Sequence, residues 1–202
     1  MKASPPLDFA MTLLCHMADG QVHSGQQLAQ VFTCSRSKIW LAIKSLQTLG
    51  LGVICVRGKG YQLQQTLDLI DAKCVAQHYP LHPYTIETHA VLDSTNTYLM
   101  QKSDAVHQLC VGAAHQTAGR GRFGRTWLSL PHASLTFSVN WCFSKPISAL
   151  SGLSLVVGLA LARALQSLGL KGIGLKWAND VFVEGKKCGG ILLEGQGDLN
   201  GP

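Results

Sequence analysis

Arginines set among glycines give the clearest chemical signal in the sequence. Residues 119–127, GRGRFGRTW, place Arg120, Arg122 and Arg125 within six residues, and we call this segment the arginine loop. The planar guanidinium group matches a carboxylate or a phosphate with two parallel hydrogen bonds. Since glycines leave the backbone free to fold over a ligand, the sequence predicts a loop that covers an anion, with an ordinary basic surface loop as the alternative.

A lysine and an aspartate further along the chain are spaced to meet across a β-hairpin. The motif KWAND supplies Lys176 and Asp180, and Lys187 follows Asp180 by seven residues, after a turn. Residues that face each other in a hairpin share one side of it, so Asp180 and Lys187 are predicted to be neighbours. An exposed ion pair without a chemical role is the alternative. The pair Gly189-Gly190 indicates that something bulky approaches the backbone there.

Hydroxyl and amide groups follow one another in Asp93-Ser94-Thr95-Asn96. They are typical of a helix N-cap, and they can also hydrogen-bond a polar ligand. The string GRGRFG formally matches the dinucleotide-binding pattern GxGxxG, but that interpretation is rejected. Such a loop opens a helix, whereas the residues that follow here, Leu128-Ser129-Leu130-Pro131, cannot begin a long one.

Helical spacing of apolar residues predicts three short helices at the start of the chain, over 7–17, 26–32 and 36–49. Ser24 and Ser35 are placed to cap the second and third. Strands are predicted at 53–56 and 61–63, around the basic turn Arg57-Gly58-Lys59-Gly60. Three helices followed by such a hairpin form a winged helix-turn-helix, with a domain predicted to span residues 1–65.

This winged helix is predicted to bind DNA through the start of its third helix and through the wing. The residues assigned to that role are Ser35, Arg36, Ser37, Lys38, Arg57 and Lys59. A protein-binding module is the alternative. Trp40 and Leu41 stand where a DNA reader more often has polar side chains, so they are expected to contact a thymine methyl group, to pack on the wing, or to mark a lost function.

Residues 66–202 alternate apolar strands with helices, which predicts a second domain of α+β class with a mixed sheet. The segment 150–168 is apolar nearly all round and is predicted to be a helix buried on that sheet. A connecting helix is expected over 67–77. We expect no segment that approaches the roughly 20 apolar residues of a membrane span.

Composition indicates a packed cytoplasmic protein, and its basic charge fits either an anionic partner or a merely basic soluble protein. Hydrophobic residues make up 47% of the chain and charged residues 14%, and the formal net charge is +6. The seven cysteines are isolated from one another, so no zinc site or disulfide framework is indicated, no bound metal is expected, and a reducing compartment is predicted.

The motifs in this order closely resemble those of biotin protein ligases. The family pattern is DSTN, then QTAGRGRxGRxW, KWPND and GKKxGGIL, and this chain has DSTNTYL, HQTAGRGRFGRTW, KWAND and GKKCGGILLE. With a winged helix ahead of them, the match is to the bifunctional class that also acts as biotin operon repressor. The resemblance implies a class II synthetase-like catalytic domain.

It also implies a role for each matching residue. Ser94, Thr95, Asn96 and Gln116 match the segment that binds biotin, and Arg120, Gly121 and Arg122 match the loop that closes over biotin and the adenylate. Lys187 matches the lysine that contacts the biotin carboxylate or the activated phosphate. Lys176 and Asp180 match polar groups near the ATP phosphates and the incoming lysine, and Trp127 matches an aromatic residue beside the nucleotide. Catalysis is expected to depend on Lys187, Asp180 and Arg122.

The reaction implied is formation of biotinyl-5′-AMP from biotin and ATP, with Mg²⁺, followed by transfer of biotin to a lysine of the biotin carboxyl carrier protein. The expected partners are that protein and operator DNA of biotin genes, with no membrane and with a homodimer left open. The alternatives are a lipoate-type protein ligase and a catalytically inactive DNA-binding regulator.

Two departures from the pattern matter. Ala178 stands where the family has proline. The family also continues beyond the position of Pro202 with further core strands, a second ligand-closing loop and a small β-barrel domain. The catalytic domain is therefore expected to be incomplete, with apolar surface and a sheet edge left uncovered.

Overall fold

A computed structural model describes residues 7–68, 70–78, 84–102, 108–131 and 133–196. Backbone contacts divide the chain into two units, residues 1–118 with 128–140 and residues 119–127 with 141–202. The boundary predicted between residues 65 and 66 lies inside the first unit and stays a prediction. Residues 197–202, at the predicted break in the catalytic domain, lie outside the described residues.

Three helices open the first unit, as the spacing predicts: α1 (Leu7–His16), α2 (Gly25–Val31) and α3 (Arg36–Thr48). The Ser24 hydroxyl accepts a hydrogen bond from the backbone N–H of Gln27, and the Ser35 hydroxyl accepts one from Lys38. These are the two predicted caps, and each satisfies a backbone donor that has no partner inside its helix.

The wing is the antiparallel pair β1 (Val53–Val56) and β2 (Gly60–Leu63). His23 exchanges two backbone hydrogen bonds of 2.9 Å with Tyr61, which joins the wing to the chain before α2. Gly60, with φ of +142°, lets the His23 carbonyl approach so closely that any Cβ at Gly60 would clash with it. The winged helix is therefore held by both an apolar core and a backbone bridge.

The apolar core of the winged helix is shielded from solvent. Met11, Leu13, Ile39 and Leu46 have no exposed surface. Residues of the following sheet pack against the same cluster, among them Val91. Burial on this scale is the main source of stability for the first unit.

Further along the first unit the chain forms a mixed sheet, as expected for the α+β class. After α4 (Ala72–His78), strand β3 (Thr85–Leu92) pairs in parallel with β4 (Leu109–Gln116), and β4 pairs antiparallel with β5 (Thr136–Val139). The short helix α5 (Thr95–Gln101) connects β3 towards β4. The connecting helix α4 is shorter than predicted and begins later.

The second unit consists of a helix and an antiparallel sheet. Helix α6 (Leu153–Ser167) precedes β6 (Ile173–Lys176), β7 (Asp180–Val183) and β8 (Lys186–Gly190), which pair in sequence order. Helix α6 packs on the sheet at Gly158, where a Cβ would stand at an ordinary van der Waals distance of 3.5–3.7 Å from Leu175 and Ile191. Two short 3₁₀ turns, Arg122–Gly124 and Ile147–Leu150, complete the unit.

Helix α6 packs on a sheet as predicted, but the prediction that it is buried there is wrong. Its buried residues are Gly158 and Ala162, whereas Val156 is 64% and Leu159 48% exposed. An apolar composition shows only what a helix can bury, and the packing described here covers one of its faces. The expectation that no segment approaches a membrane span is also wrong by length and composition, since Ile147–Ser167 has a mean hydropathy of 1.7 and is 11% buried. One such helix is weak evidence for a membrane, because core helices have the same composition.

Candidate functional site

Four side chains expected to contact biotin form one polar group in the first unit. Ser94 caps α5, and Ser94, Thr95 and Gln116 are each less than 8% exposed. The Thr95 backbone N–H donates to the Gln116 side-chain oxygen at 2.7 Å. Ser138 on β5 contacts both the Thr95 hydroxyl, at 2.7 Å, and the Asn96 side-chain oxygen.

The number of protons limits the directions that these hydrogen bonds can take together. Each hydroxyl has one proton to donate. The Ser138 hydroxyl donates to the Asn96 side-chain oxygen, and the single proton of the Thr95 hydroxyl goes either to the Gln116 side-chain oxygen at 3.0 Å or to Ser138 at 2.7 Å. In both arrangements the Gln116 oxygen accepts from the Thr95 backbone N–H. The group is thus oriented before any ligand arrives.

A second polar cluster lies on the same sheet. Glu87 on β3 accepts hydrogen bonds from the Lys102 ammonium group at 2.8 and 2.9 Å and from the Tyr98 hydroxyl at 3.0 Å. The Lys102 hydrogen bond is the main reason that the pKa of Glu87 lies below its ordinary value, and the same bond raises the pKa of Lys102. This cluster ties α5 to β3 beside the polar group.

In the second unit the arginine loop is a small hairpin. The Gly121 N–H donates to the Arg125 carbonyl at 2.7 Å, and the Trp127 N–H donates to the Gly119 carbonyl at 2.9 Å. Between them Arg120 and Thr126 form an antiparallel bridge. Phe123 at the tip is 86% exposed with φ of 58°, and no helix follows, which confirms the rejection of a dinucleotide-binding loop.

Each of the two arginines expected to contact the ligand has a partner in the second unit. Arg120 donates to a Glu194 carboxylate oxygen at 3.0 Å, and Arg122 donates to the Asn179 side-chain oxygen at 3.2 Å. Asn179 is itself held by Ile191. The Asn179 side-chain NH₂ group donates to the Ile191 backbone carbonyl at 3.1 Å, and the Asn179 backbone carbonyl accepts from the Ile191 N–H at 2.8 Å. The loop is therefore attached to the sheet through its own functional side chains.

Lys187 and Asp180 form the predicted pair, with Lys187 Nζ 2.8 Å from Asp180 Oδ1. The same ammonium group lies 5.9 Å from the centre of the Trp127 ring. Trp127 is also the bulky group that approaches Gly190, where a Cβ would stand 3.2 Å from the ring. Lys176 lies opposite Asp180 across the β6–β7 pair.

An open cleft borders the KWAND turn, between α6 and the turn. Its lining includes Ser154, Leu155, Lys176, Trp177, Asn179 and Asp180. In the described ranges no three His, Cys, Asp or Glu side chains are grouped to hold a metal ion. Any divalent cation would need ligands from a bound substrate as well.

The winged helix presents cations without acidic neighbours in sequence. Between Asp19 and Asp68 the chain has no Asp or Glu. Within that stretch lie five lysines and arginines, which are Arg36, Lys38, Lys44, Arg57 and Lys59, all of them exposed. Such a surface attracts a polyanion.

The structure places the predicted DNA-binding residues on more than one side of α3. Successive residues of a helix differ by about 100°, and the buried positions Ile39 and Ala42 define its inner face. Ser37 and Lys44 point directly outward on that basis, with Trp40, 50% exposed, beside them. Lys38 instead turns towards α1, where its ammonium group lies 4.3 Å from the centre of the Phe9 ring.

Comparison with known proteins agrees with this geometry. The biotin/lipoate A/B protein ligase family matches residues 88–200, a span that contains both groups of polar residues described above. The chain belongs to this ligase family. An HTH domain model matches residues 13–62, which confirms the helix-turn-helix ahead of the ligase fold.

Two relatives of the ligase family illustrate the match. The bifunctional ligase/repressor BirA of Salmonella typhimurium is 39% identical over 186 residues, which are 91% of this chain and 57% of that protein. The biotin--[acetyl-CoA-carboxylase] ligase of Mycobacterium tuberculosis is 36% identical over 116 residues, covering 54% of this chain and 44% of that protein. The chain thus spans a little over half the length of the bifunctional relative.

Solved structures of the same family are similar as well. A biotin protein ligase from Aquifex aeolicus in complex with biotin and ATP is 32% identical, with a TM-score of 0.48, covering 56% of this chain and 48% of that chain. A biotin protein ligase from Leishmania major in complex with biotin has 30% identity and a TM-score of 0.46, over 56% of this chain and 51% of that chain.

Three residues of these groups were missed from the sequence. Ser138 lies 43 residues from Thr95 on a different strand, and no motif points to it. Asn179 stands inside KWAND and Glu194 ends the segment GGILLE, so both were visible as members of the ligase motifs. Their signal was the motif itself, but only the fold shows that they face the arginine loop.

Proposed function

We propose that this protein is an ATP-dependent biotin protein ligase that also binds operator DNA and represses biotin synthesis. One observation carries the ligase activity: the second unit brings Arg120, Arg122 and Lys187 together with Trp127 and the Asn179–Asp180 turn. The names of the relatives, biotin ligase and ligase/repressor, agree with it. ATP and DNA as partners favour a cytoplasmic location, and homodimerisation is left open.

In the first step a biotin carboxylate oxygen attacks the α-phosphorus of ATP, an oxygen–phosphorus bond forms, and the bond to pyrophosphate breaks. The carboxylate is already ionised at neutral pH, so no general base is needed. Negative charge gathers on the phosphate oxygens, and Arg122, Lys187 and Lys176 supply positive charge there. Mg²⁺ would enter with ATP as part of the substrate, bound to the substrate phosphates and to waters, and would add positive charge where the phosphate charge gathers.

The polar group of the first unit is assigned to biotin. The ureido ring of biotin has one carbonyl acceptor and two N–H donors. The Gln116 NH₂ group and the oriented side chains of Ser94, Thr95 and Asn96 offer the complementary donors and acceptors. Burial makes these hydrogen bonds selective, because a ligand that leaves them unpaired pays the cost of desolvation.

In the second step a lysine of the biotin carboxyl carrier protein attacks the mixed anhydride, the amide bond forms and AMP leaves. The attacking amine must lose a proton. Asp180 is assigned to accept it, since its carboxylate lies on the same turn as Lys176 and contacts Lys187. When Lys187 turns to the ligand phosphate, the Asp180 carboxylate is released for the amine.

The DNA-binding role rests on the cationic surface of the winged helix. Ser35, Arg36, Ser37, Lys38, Arg57 and Lys59 stay the assigned contacts, with Ser37, Trp40 and Lys44 as the outward edge of α3. Arg57 and Lys59 on the wing are assigned to phosphates, which bind without reading sequence.

Calorimetry with biotin and with biotinyl-5′-AMP tests the ligase assignment. Arg122→Ala should weaken binding of the adenylate at least about tenfold, because a charged hydrogen bond to the phosphate is lost, while biotin binding changes less. Arg163→Ala removes an exposed arginine of α6 and is the matched control. Equal losses for both ligands would contradict the assignment of Arg122 to the phosphate.

Pyrophosphate release distinguishes the two rival functions. Release that depends on biotin and not on lipoate supports the biotin ligase, and the reverse dependence identifies a lipoate-type ligase. Adenylate binding without any release would favour a catalytically inactive regulator. The same 202-residue chain is used in every assay.

A further inference from the structure

Glu194 occupies a position that the proposed reaction does not use. It follows β8 and accepts a hydrogen bond from the Arg120 guanidinium group at 3.0 Å. The Arg120 side chain is 47% exposed and the Glu194 side chain 26% exposed, so both can be reached by a ligand. Glu194 thus presents an anion to the loop that is assigned to bind an anion.

We propose that Glu194 determines the affinity of the arginine loop for phosphate-bearing ligands, by holding the Arg120 guanidinium group until a nucleotide phosphate displaces it. The proposal rests on the ligase function proposed above. The partner chemistry is a phosphate or pyrophosphate group, which offers more acceptor oxygens than a carboxylate.

The contrast with Arg122 supports this assignment. Arg122 has a neutral amide oxygen, that of Asn179, as its partner in the same loop. A neutral partner orients a guanidinium group but does not cancel its charge, whereas the Glu194 carboxylate does both for Arg120. A ligand anion therefore competes with protein charge at Arg120 and not at Arg122.

The segment that follows β8 places Glu194 where it can compete with a ligand phosphate for Arg120. Asn179 is tied to Ile191, and Glu194 lies three residues beyond Ile191 on the same segment. Arg120 thus contacts the segment that follows β8 directly, and Arg122 contacts Asn179, which is hydrogen-bonded to the same segment. When the ligand takes Arg120, Arg122 still has its amide partner to orient it.

Binding of ATP tests the proposal. In Glu194→Gln the amide oxygen can still accept a hydrogen bond from Arg120, but the negative charge is gone. ATP should bind about two- to fivefold more tightly, a range set by the partial exposure of the pair, and with a steeper dependence on salt. Glu184→Gln, on the exposed β7–β8 turn, changes the net charge equally and should leave ATP affinity within twofold of the wild type.

A measurement without ligand separates this proposal from the ligase function. Backbone amides of Gly121 and Trp127 should exchange hydrogen faster in Glu194→Gln than in the wild type, since one attachment of the loop is weakened, and Glu184→Gln should leave them unchanged. Unchanged exchange, or ATP affinity that stays equal or falls in Glu194→Gln, would overturn the proposal. Failure of the wild type to bind ATP would overturn the ligase function instead, and the exchange result would then decide the role of Glu194.

Discussion

In the winged helix, fourteen buried apolar side chains form one core cluster. Among the described residues of the second unit, the buried apolar side chains are Ala162, Val181 and Ile191. Pairing of lysine and arginine side chains with carboxylates follows the opposite trend between these two regions. The basic residues of α3 and the wing lie in a stretch without acidic residues, whereas Arg120 and Lys187 of the second unit are paired with carboxylates.

The two regions therefore hold their functional side chains in different ways. In the winged helix the core holds the backbone, so surface side chains can change without loss of the fold. In the second unit the side chains assigned to the ligand also attach the arginine loop to the sheet. Changes in the two regions should therefore have different consequences for stability and for binding.

The largest expected effect is on the core of the winged helix. Ile39→Ala should lower the free energy of unfolding by about 2–5 kcal/mol, because Ile39 has no exposed surface and its truncation leaves a cavity. Val156→Ala removes a side chain that is 64% exposed and should change it by less than about 0.5 kcal/mol. Urea denaturation followed by circular dichroism measures both, and equal losses would show that the two regions are packed alike.

A smaller effect is expected from Trp40 on DNA recognition. Trp40→Ala should weaken binding to a duplex selected from a random library by about 1 kcal/mol, because an apolar contact with a base methyl group is lost. Binding to unselected DNA should change little. Replacement of thymine by uracil in the selected duplex should weaken the wild type and not the variant. Recovery of the same preferred sequence by the variant would rule Trp40 out as a reader.

Lys59 on the wing should affect the affinity for DNA and not the preference for a sequence. Lys59→Ala should weaken binding to all sequences about equally and reduce the slope of log K against log salt by about one unit, if Lys59 meets one phosphate. Gln62→Ala, on β2 of the same wing, removes no charge and should leave the slope unchanged. A change in the preferred sequence would assign Lys59 to a base instead of the backbone.

The smallest expected effect is the pH dependence of the stability that the Glu87–Lys102 ion pair contributes. The pKa of Glu87 is lowered in the folded protein, mainly by Lys102, so the interaction stabilises above the ordinary carboxyl pKa and is lost as pH falls through the folded value. Glu87→Gln should therefore lower the thermal midpoint slightly at pH 7, since exposed pairs contribute little, and the difference from the wild type should shrink as acid protonates the Glu87 carboxyl group. A difference that grows on acidification would contradict the direction of the shift.

Local chemistry made most of the fold predictable. Ser24 and Ser35 cap the helices expected from them, and the wing strands lie where alternation and the glycine turn put them. The exposure of α6 was not predictable, because composition shows apolarity and not what covers it. Likewise KWAND and the position of Lys187 seven residues after Asp180 predicted that Asp180 and Lys187 meet, but not that Asn179 and Glu194 attach to the arginine loop.

The hairpin form of the arginine loop has a consequence for how it captures a ligand. Backbone bonds across its base, at Gly119–Trp127 and Gly121–Arg125, hold Arg120 and Arg122 on one hairpin, so the two side chains start from fixed, neighbouring points. Once either arginine has bound an anion, the other is present at a high effective concentration, as in a bivalent ligand. The entropy of ordering the loop is then lost once for two contacts, and a dianionic or bridged ligand gains more than the sum of two separate arginines would give.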